Sequence, residues 1–151
     1  MKVAAGWDHR GRIFREKLEK ILEEAGHEVI EMGAASSASS DYPDYAFRVA
    51  EAVSRGEAER GILICGTGIG MARAANKVRG ARAAVVWDMG TARASRAHND
   101  ANVLCVGEWI VGQPEFERIV KLWLDTPFEA GRHSRRVGKI IEYEKNGPCR
   151  V

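Results

Sequence analysis

The sequence predicts an α/β domain in which a five-stranded parallel β-sheet carries helices on both faces. Short apolar runs alternate with segments of helical periodicity along the chain, and such alternation gives right-handed crossovers between parallel strands. The chain has 151 residues, which is enough to bury the core of one such domain. We therefore expect a single domain over residues 1–151 that ends in a tail of about eight residues.

The first half of the chain predicts two strands and two helices. Phe14, Leu18 and Ile21 recur at helical spacing, and Gly26 ends that helix. Asp41 places negative charge at the start of the next helix, where the helix dipole favours it. The predicted elements are a strand over 2–5, a helix over 12–25, a strand over 28–32, a polar loop over 33–40 and a helix over 41–55.

The second half predicts three strands and four helices. Residues 82–87 are apolar and rich in β-formers, which is typical of a buried parallel strand. Thr126 and Pro127 separate the last two helices. Together with the first half, this order gives a three-layer, Rossmann-like arrangement. The predicted strands cover 61–65, 82–87 and 102–106, and the helices cover 70–78, 91–97, 113–124 and 131–144.

The composition points away from nucleic acids and membranes. The net charge is only +2, from 23 basic and 21 acidic residues, so no global positive field favours nucleic acid. No apolar run approaches the ~18 residues of a membrane helix, and the first residues lack the apolar core of a signal peptide. We therefore expect a cytoplasmic protein with neither nucleic acid nor membrane as a partner.

Residues 61–70, with the sequence GILICGTGIG, are the most informative part of the chain. A buried strand leads into Cys65, and a glycine-rich turn follows before the pattern becomes helical. Ligands of parallel α/β sheets bind at the carboxyl ends of strands, and glycines let backbone N–H groups close on a small anion. This context favours a functional role for Cys65. Cys105 is expected to be a buried apolar residue, and Cys149 lies in the polar tail with no indicated role.

Two further strand ends carry polar residues on the same predicted edge. Asp8 and His9 follow the first strand and Asp88 follows the fourth. Either aspartate could instead cap the helix that begins after it, although an adjacent Asp-His pair favours a ligand. The glycine turn and Asp88 together also suggest a dinucleotide site. Because the turn follows the third strand and its third glycine comes one position early, a smaller phosphorylated or oxyanionic ligand is favoured.

A second set of candidates lies later in the chain. His98 and Asn99 close a helix, where a histidine could simply complement the helix dipole. Arg132 and Arg136 are spaced i,i+4 and so share one helix face. That face is either a solvated basic surface or a clamp for phosphate, since a guanidinium offers paired N–H donors to phosphate oxygens.

Taken together, these motifs resemble the type B ribose-5-phosphate isomerase family, which also includes galactose-6-phosphate and allose-6-phosphate isomerases. The matching motifs keep the family's order from residue 6 to about residue 140, nearly the whole chain. They are Asp8-His9-x-Gly11, Asp41-Tyr42-Pro43-Asp44-Tyr45, Ile64-Cys65-Gly66-Thr67-Gly68-Ile69-Gly70, Ser95-Arg96-Ala97-His98-Asn99, Asn102-Val103-Leu104 and Gly131-Arg132-His133-x-x-Arg136.

The resemblance implies a reversible aldose–ketose isomerisation through a cis-enediolate, without a cofactor or a metal. On matching positions it implies Cys65 as the base that moves the proton between C1 and C2, and His98 as the acid that opens the sugar ring. It also implies a homodimer or homotetramer in which His98 and Asn99 of one subunit complete the neighbour's site. Tyr42 is expected to line the sugar pocket. The other implied substrate contacts are Asp8, His9, Gly66, Thr67, Gly68, Ile69, Gly70, Asn99, Arg132 and Arg136.

Three positions depart from the family pattern. Trp109 stands where the family commonly has a phosphate-binding arginine, Trp7 replaces a small residue, and Arg10 replaces a small apolar residue and could restore the missing positive charge. Ribose 5-phosphate and ribulose 5-phosphate are the preferred substrate pair. The alternatives are an isomerase for another phosphorylated or unphosphorylated aldose, and a non-catalytic sugar- or nucleotide-binding protein on the same scaffold.

Overall fold

The computed structural model describes residues 1–147 and contains one five-stranded sheet in the order β2-β1-β3-β5-β4. Every strand pair in it is parallel. This confirms the predicted α/β class and the number of strands. The strands are β1 (Lys2–Trp7), β2 (Glu28–Glu31), β3 (Arg60–Cys65), β4 (Ala83–Val85) and β5 (Val103–Gly107).

Within residues 1–147, six α-helices connect and flank the strands, and a 3₁₀ turn (Gly11–Phe14) precedes the first of them. Within the part of the chain that the structure describes, no helix is both long enough and apolar enough to span a bilayer. The helices are α1 (Arg15–Glu24), α2 (Tyr42–Ser54), α3 (Ile69–Ala75), α4 (Met89–Ala97), α5 (Gln113–Asp125) and α6 (Arg132–Asn146).

The two faces of the sheet bury different kinds of side chain. Helices α1, α4 and α5 cover one face with large residues, and the rings of Phe14 and Phe116 stack there with centroids 4.3 Å apart. Helices α2 and α3 cover the other face mostly with alanines, so their backbones lie close to the strands. Because side chains alternate along a strand, Ile64 packs on the first face and Cys65 on the second.

Strand β4 is shorter and more exposed than the sequence predicts. It spans Ala83–Val85 rather than 82–87, its residues are only half-buried, and Trp87 is 53% exposed. The physical reason is its place at the edge of the sheet, where it pairs with β5 alone. The prediction of a fully buried strand over residues 82–87 is therefore wrong.

Strand β1 is longer than predicted because Trp7 continues it. The indole of Trp7 is buried in the core, and its Nε1 donates a hydrogen bond to the Ala34 carbonyl at 3.1 Å. This bond fixes the loop after β2 against the carboxyl end of β1. Trp7 therefore has a packing role and shapes the edge of the sheet without lining the cleft described below.

A buried polar contact joins α4 to α5. The Trp123 indole Nε1 donates to Ser95 Oγ at 3.1 Å, and Ser95 Oγ in turn donates to the Ala92 carbonyl at 2.9 Å. Both side chains are almost fully buried, so neither can replace its partner with water. This contact holds the helix that ends at His98.

We predict that Ser95→Ala lowers the free energy of unfolding by about 1–3 kcal/mol, because it leaves a buried indole N–H without an acceptor. Urea denaturation monitored by circular dichroism measures the change. The exposed Ser134, on α6, offers a matched control whose replacement by alanine should shift stability by no more than ~0.5 kcal/mol. Equal stabilities for the two variants would contradict the role given to this contact.

Candidate active site

A cleft of about 330 Å³ opens at the carboxyl edge of the sheet, over the ends of β1 and β3. It brings together residues from the first strand end, the start of α2, the glycine turn and the segment after β5. Of the residues that the sequence analysis singled out, the cleft is lined by Asp8, His9, Arg10, Tyr42, Cys65, Gly66, Thr67, Gly70 and Trp109.

Cys65 lies at the floor of this cleft. Its side chain is only 5% exposed, and its Sγ accepts a hydrogen bond from the Gly68 backbone N–H at 3.1 Å. Gly68 has a φ of +79°, which L-residues rarely adopt, so glycine is what lets the turn fold back onto the sulfur. A donor aimed at sulfur stabilises negative charge on it. The turn thus places a backbone donor against the Cys65 sulfur at the floor of the cleft.

Cys105 provides a contrast within the same core. It is fully buried on β5, and burial raises the pKa of its thiol far above the ordinary value. It does not line the cleft. Its expected role as a small buried apolar residue is confirmed, whereas Cys65 lines the cleft. Cys149 lies outside the described residues.

The glycine turn forms part of the cleft lining through Gly66, Thr67 and Gly70. Among residues 1–147, the N–H groups of Thr67 and Gly70 donate to no other protein group. Gly70 also has no room for a side chain, since a Cβ there would meet the Tyr42 ring at 2.5 Å. Tyr42 therefore packs directly against the turn and forms one wall of the cleft. The Ile69 side chain, by contrast, is exposed and does not line the cleft.

Asp8 and His9 each make a contact that fixes their orientation. Asp8 Oδ1 accepts hydrogen bonds from the backbone N–H groups of Arg10 and Gly11, both at 2.9 Å. This oxygen therefore binds the backbone at the start of the 3₁₀ turn, as expected if Asp8 caps the helix that follows it. His9 Nδ1 accepts from the Ser40 N–H at 3.2 Å. In a neutral imidazole this leaves the proton on Nε2, which can then donate to a ligand.

Asp88 lies away from the cleft and caps a helix. Its Oδ1 accepts from the Thr91 N–H at 2.6 Å and from the Thr91 hydroxyl at 2.8 Å, which forms a capping box at the start of α4. These hydrogen bonds lower the pKa of the Asp88 carboxyl. Strand β5 also separates β4 from β3. Asp88 is therefore engaged in the cap and is not placed for a dinucleotide ribose beside the glycine turn.

His98 lies at the opposite, amino edge of the sheet. It follows the last residue of α4, which starts just after the carboxyl end of β4 and runs back toward the first residue of β5. A helix of nine residues spans about 13 Å. Within one chain, His98 is therefore separated from Cys65 by roughly the depth of the sheet.

A second polar cluster, which we call the His98 cluster, surrounds His98 at this amino edge. The imidazole rings of His98 and His133 stack with centroids 4.4 Å apart and planes 9° apart. A Glu129 oxygen lies 3.8 Å from His98 Nε2 and 3.9 Å from His133 Nε2. Arg132 and Arg136 stand at the start of α6 beside these rings, and both are exposed.

The charges of the His98 cluster suit an anion better than a metal. Burial, followed by the positive charges of His98, Arg132 and Arg136, lowers the pKa of His133. The atoms of His98, Glu129 and His133 that could bind a metal all lie within 4.8 Å of one another. Parallel stacked rings, however, cannot both direct their lone pairs at one ion, and the two arginines repel a cation.

Arginines hold the turn after His98. Asp100 has a φ of +47°, and its carboxylate accepts hydrogen bonds from Arg82 at 2.9 Å and Arg96 at 3.0 Å. Arg96 is almost fully buried and also donates to the Ala101 carbonyl. Asn99, in the same turn, is exposed, and its amide donates to the Ala94 carbonyl at 3.2 Å. This ion-paired turn fixes His98 and Asn99 at the surface.

Ser40 and Glu129 belong to no motif found in the sequence, and His133 stands there only as a member of the Gly131-Arg132-His133-x-x-Arg136 motif. Ser40 orients His9 from a loop with no periodic pattern, so no sequence signal marks it. Glu129 and His133 are spaced i,i+4, which places them on one face if the chain is helical there. That spacing next to Arg132 is the signal that could have identified them.

Comparisons with known proteins agree with this geometry. The family model described as Ribose/Galactose Isomerase matches residues 3–140. The chain is 47% identical to ribose-5-phosphate isomerase B of Escherichia coli, over 95% of this chain and 97% of that protein. The structure of ribose-5-phosphate isomerase B from Clostridium thermocellum superposes with a TM-score of 0.95 at 49% identity, covering 98% and 100% of the two chains. The Mycoplasma genitalium enzyme with bound ribulose-5-phosphate superposes with a TM-score of 0.91 at 42% identity, covering 95% and 96%.

The lowered pKa of His133 predicts a pH dependence of stability. Because the unfolded chain binds this proton more readily, the stabilising contribution is complete above the ordinary histidine value of 6.5 and is lost as the pH falls below it. We expect the melting temperature to fall on acidification below 6.5, and to fall less in His133→Gln. Thermal denaturation in matched buffers measures how steeply the melting temperature changes with pH in the wild type and in His133→Gln. Arg135→Gln, on the same helix turn, is the control, and equal slopes in wild type and His133→Gln would refute this assignment.

Proposed function

This chain belongs to the ribose/galactose isomerase family and is a sugar-phosphate aldose–ketose isomerase, and from that premise we propose that it interconverts ribose 5-phosphate and ribulose 5-phosphate with Cys65 as the base. The observation that carries the proposal is the Cys65 sulfur at the floor of the cleft, with a backbone donor aimed at it.

In the proposed reaction Cys65 moves one proton between neighbouring carbons. The thiolate removes the proton from C2 of the open-chain aldose, which leaves a cis-enediolate. A second proton passes from the C2 hydroxyl to the C1 oxygen, and the Cys65 thiol returns its proton to C1 to give the ketose. Negative charge develops on the sugar oxygen during the first transfer. The free N–H groups of Thr67 and Gly70 are the donors we assign to that oxygen. The net change is internal to the sugar, so the proposed reaction consumes no redox cofactor.

Asp8, His9 and Tyr42 orient the sugar in this proposal. Asp8 keeps one carboxylate oxygen on its cap, so its other oxygen is the acceptor for a sugar hydroxyl. His9 offers its Nε2–H, because Ser40 occupies Nδ1. Tyr42 closes the side of the cleft against Gly70. Gly66 and Gly68 shape the floor of the cleft. Ile69 contributes through its backbone position in the turn and not through its side chain.

Ring opening is assigned to His98 of a second copy of the chain. His98 is at the opposite edge from Cys65 in its own chain, so it can serve a Cys65 cleft only across an interface between two copies. We propose a homo-oligomer in which the His98 cluster of one subunit covers the Cys65 cleft of another. His98 then protonates the ring oxygen. Arg132 and Arg136 bind the phosphate, and Asn99 contacts the sugar.

Another aldose remains the second candidate substrate because of Trp109. Its indole is 61% exposed, lines the cleft and lies against Gly66, where a Cβ would meet the ring at 3.1 Å. A flat apolar surface there favours stacking on a sugar face. Comparing kcat/KM for pentose and hexose phosphates tests this candidate, and tight binding of a sugar without turnover would instead favour a non-catalytic role.

We predict that Cys65→Ala reduces kcat for ribose 5-phosphate by at least about 10²–10⁴-fold while the protein stays folded, because the base is lost. Conversion to ribulose 5-phosphate by the purified protein measures the effect. Cys105→Ala removes a thiol from the same core and is the matched control, which should keep most of the activity. Retained turnover in Cys65→Ala would move the base to another residue, with Asp8 the next candidate.

The two-chain site predicts complementation between inactive variants. Cys65→Ala and His98→Gln should each be nearly inactive alone. Co-expressed at equal levels, they form mixed dimers in which one of the two sites has both wild-type residues. Random pairing gives about one quarter of wild-type specific activity. Activity of the mixture no higher than that of the parents would contradict a shared site.

A further inference from the structure

Arg10 is the cation that the Cys65-bearing chain itself contributes to the cleft. Among the described residues, the cleft lining contains one lysine or arginine, and that residue is Arg10. Its side chain is exposed, and its guanidinium carbon lies 5.3 Å from the centre of the Trp109 ring. The indole face attracts the guanidinium and restricts its motion. Arg10 is therefore partly ordered at the mouth of the cleft before any ligand arrives.

The guanidinium of Arg10 is free to bind an anion. Within residues 1–147 its N–H groups make no hydrogen bond to the protein and no ion pair with a carboxylate. Arg15 and Arg118, by contrast, are each paired with glutamates. A planar fork of unpaired donors fits two oxygens of a phosphoryl group at once.

The backbone near Arg10 cannot supply this anion site instead. Asp8 Oδ1 takes the N–H groups of both Arg10 and Gly11, and a carboxylate at that position repels a second anion. Any phosphate at this end of the cleft must therefore bind through side chains. His9 Nε2–H is the neighbouring side-chain donor.

Arg10 also lies between two adjoining clefts. One contains Cys65, and the other, of about 340 Å³, is lined by Arg12, Ile13, Ser37 and Glu108. The two clefts share His9 and Arg10. A sugar phosphate whose C1 and C2 lie at Cys65 can thus extend its remote phosphoryl group past His9 toward Arg10.

We propose that Arg10, held against Trp109, binds the phosphoryl group of the substrate and makes this enzyme selective for phosphorylated over free sugars; this inference rests on the proposed isomerase function. Arg10 and His9 of the Cys65-bearing chain form one side of the phosphate site, and Arg132 and Arg136 of the second chain form the other. Binding energy at this remote group acts equally on the bound substrate and on the transition state, so it lowers KM more than it raises kcat.

The test compares Arg10→Gln with Arg118→Gln, which removes the same charge from an exposed face of α5. We expect Arg10→Gln to raise KM for ribose 5-phosphate at least about tenfold with kcat changed less than about threefold, since it removes a charge-assisted contact remote from the chemistry. Arg118→Gln should match wild type. An unchanged KM in Arg10→Gln would overturn the proposal.

Trp109→Ala tests the contact between indole and guanidinium. It removes no charge, so a raised KM for ribose 5-phosphate is expected only if the indole orders Arg10 or contacts substrate. The double variant with Arg10→Gln separates these two cases. If the indole acts by ordering Arg10, which we call a bracing role, the combined effect on KM is smaller than the sum of the two single effects. Fully additive effects would overturn the bracing role.

Binding of inorganic phosphate provides a readout that does not depend on turnover. Titration followed by ³¹P NMR should give a Kd at least about tenfold weaker for Arg10→Gln than for wild type or Arg118→Gln. If wild type turned over no sugar phosphate but bound phosphate through Arg10, the proposed function would fail and the phosphate site would stand. Turnover with equal phosphate affinity in all three proteins would overturn the site alone.

Discussion

The parallel pairing of β1 with β3 is the constraint on which the site depends. Trp7 aligns with Ile64, and the Asp8 N–H donates to the Ile64 carbonyl at 3.3 Å, so the two strands end side by side. This register brings Asp8 and His9 to the same cleft as Cys65. A slip by one residue would turn Cys65 to the other face of the sheet. The bulky core under β3 and the close packing of α2 on the other face both hold the register.

The same βα geometry separates two half-sites within one chain. Every strand delivers its carboxyl end to one edge, and every following helix returns the chain to the other edge. Cys65, at a strand end, and His98, at a helix end, therefore lie on opposite edges. In the proposed assembly a two-fold axis relates the two copies. It places the carboxyl edge of each copy, with Cys65, against the amino edge of the other, with His98, and so completes two sites at once.

Much of this arrangement was predictable from the sequence, and the remainder depends on tertiary contacts. The apolar run of β3 followed by the glycine turn is the local pattern of a buried strand that ends in a tight turn. The strand and the place of Cys65 as its last residue were therefore predictable from the sequence. The edge position of β4 does not, because the sequence does not encode strand order locally. Trp7 extends β1 through a bond to Ala34, and His133 meets His98 across two helices. Such contacts join residues 27 and 35 positions apart in the chain, beyond the reach of periodicity.

The central claim is that Cys65 transfers a proton through an enediolate, and isotope exchange tests it most directly. Wild-type protein is incubated with ribose 5-phosphate in D₂O, and ¹H NMR follows deuterium at C2 of the aldose and C1 of the ketose. The account predicts incorporation that depends on Cys65 and is unaffected by Cys105→Ala. Exchange or turnover at an undiminished rate in Cys65→Ala would contradict it.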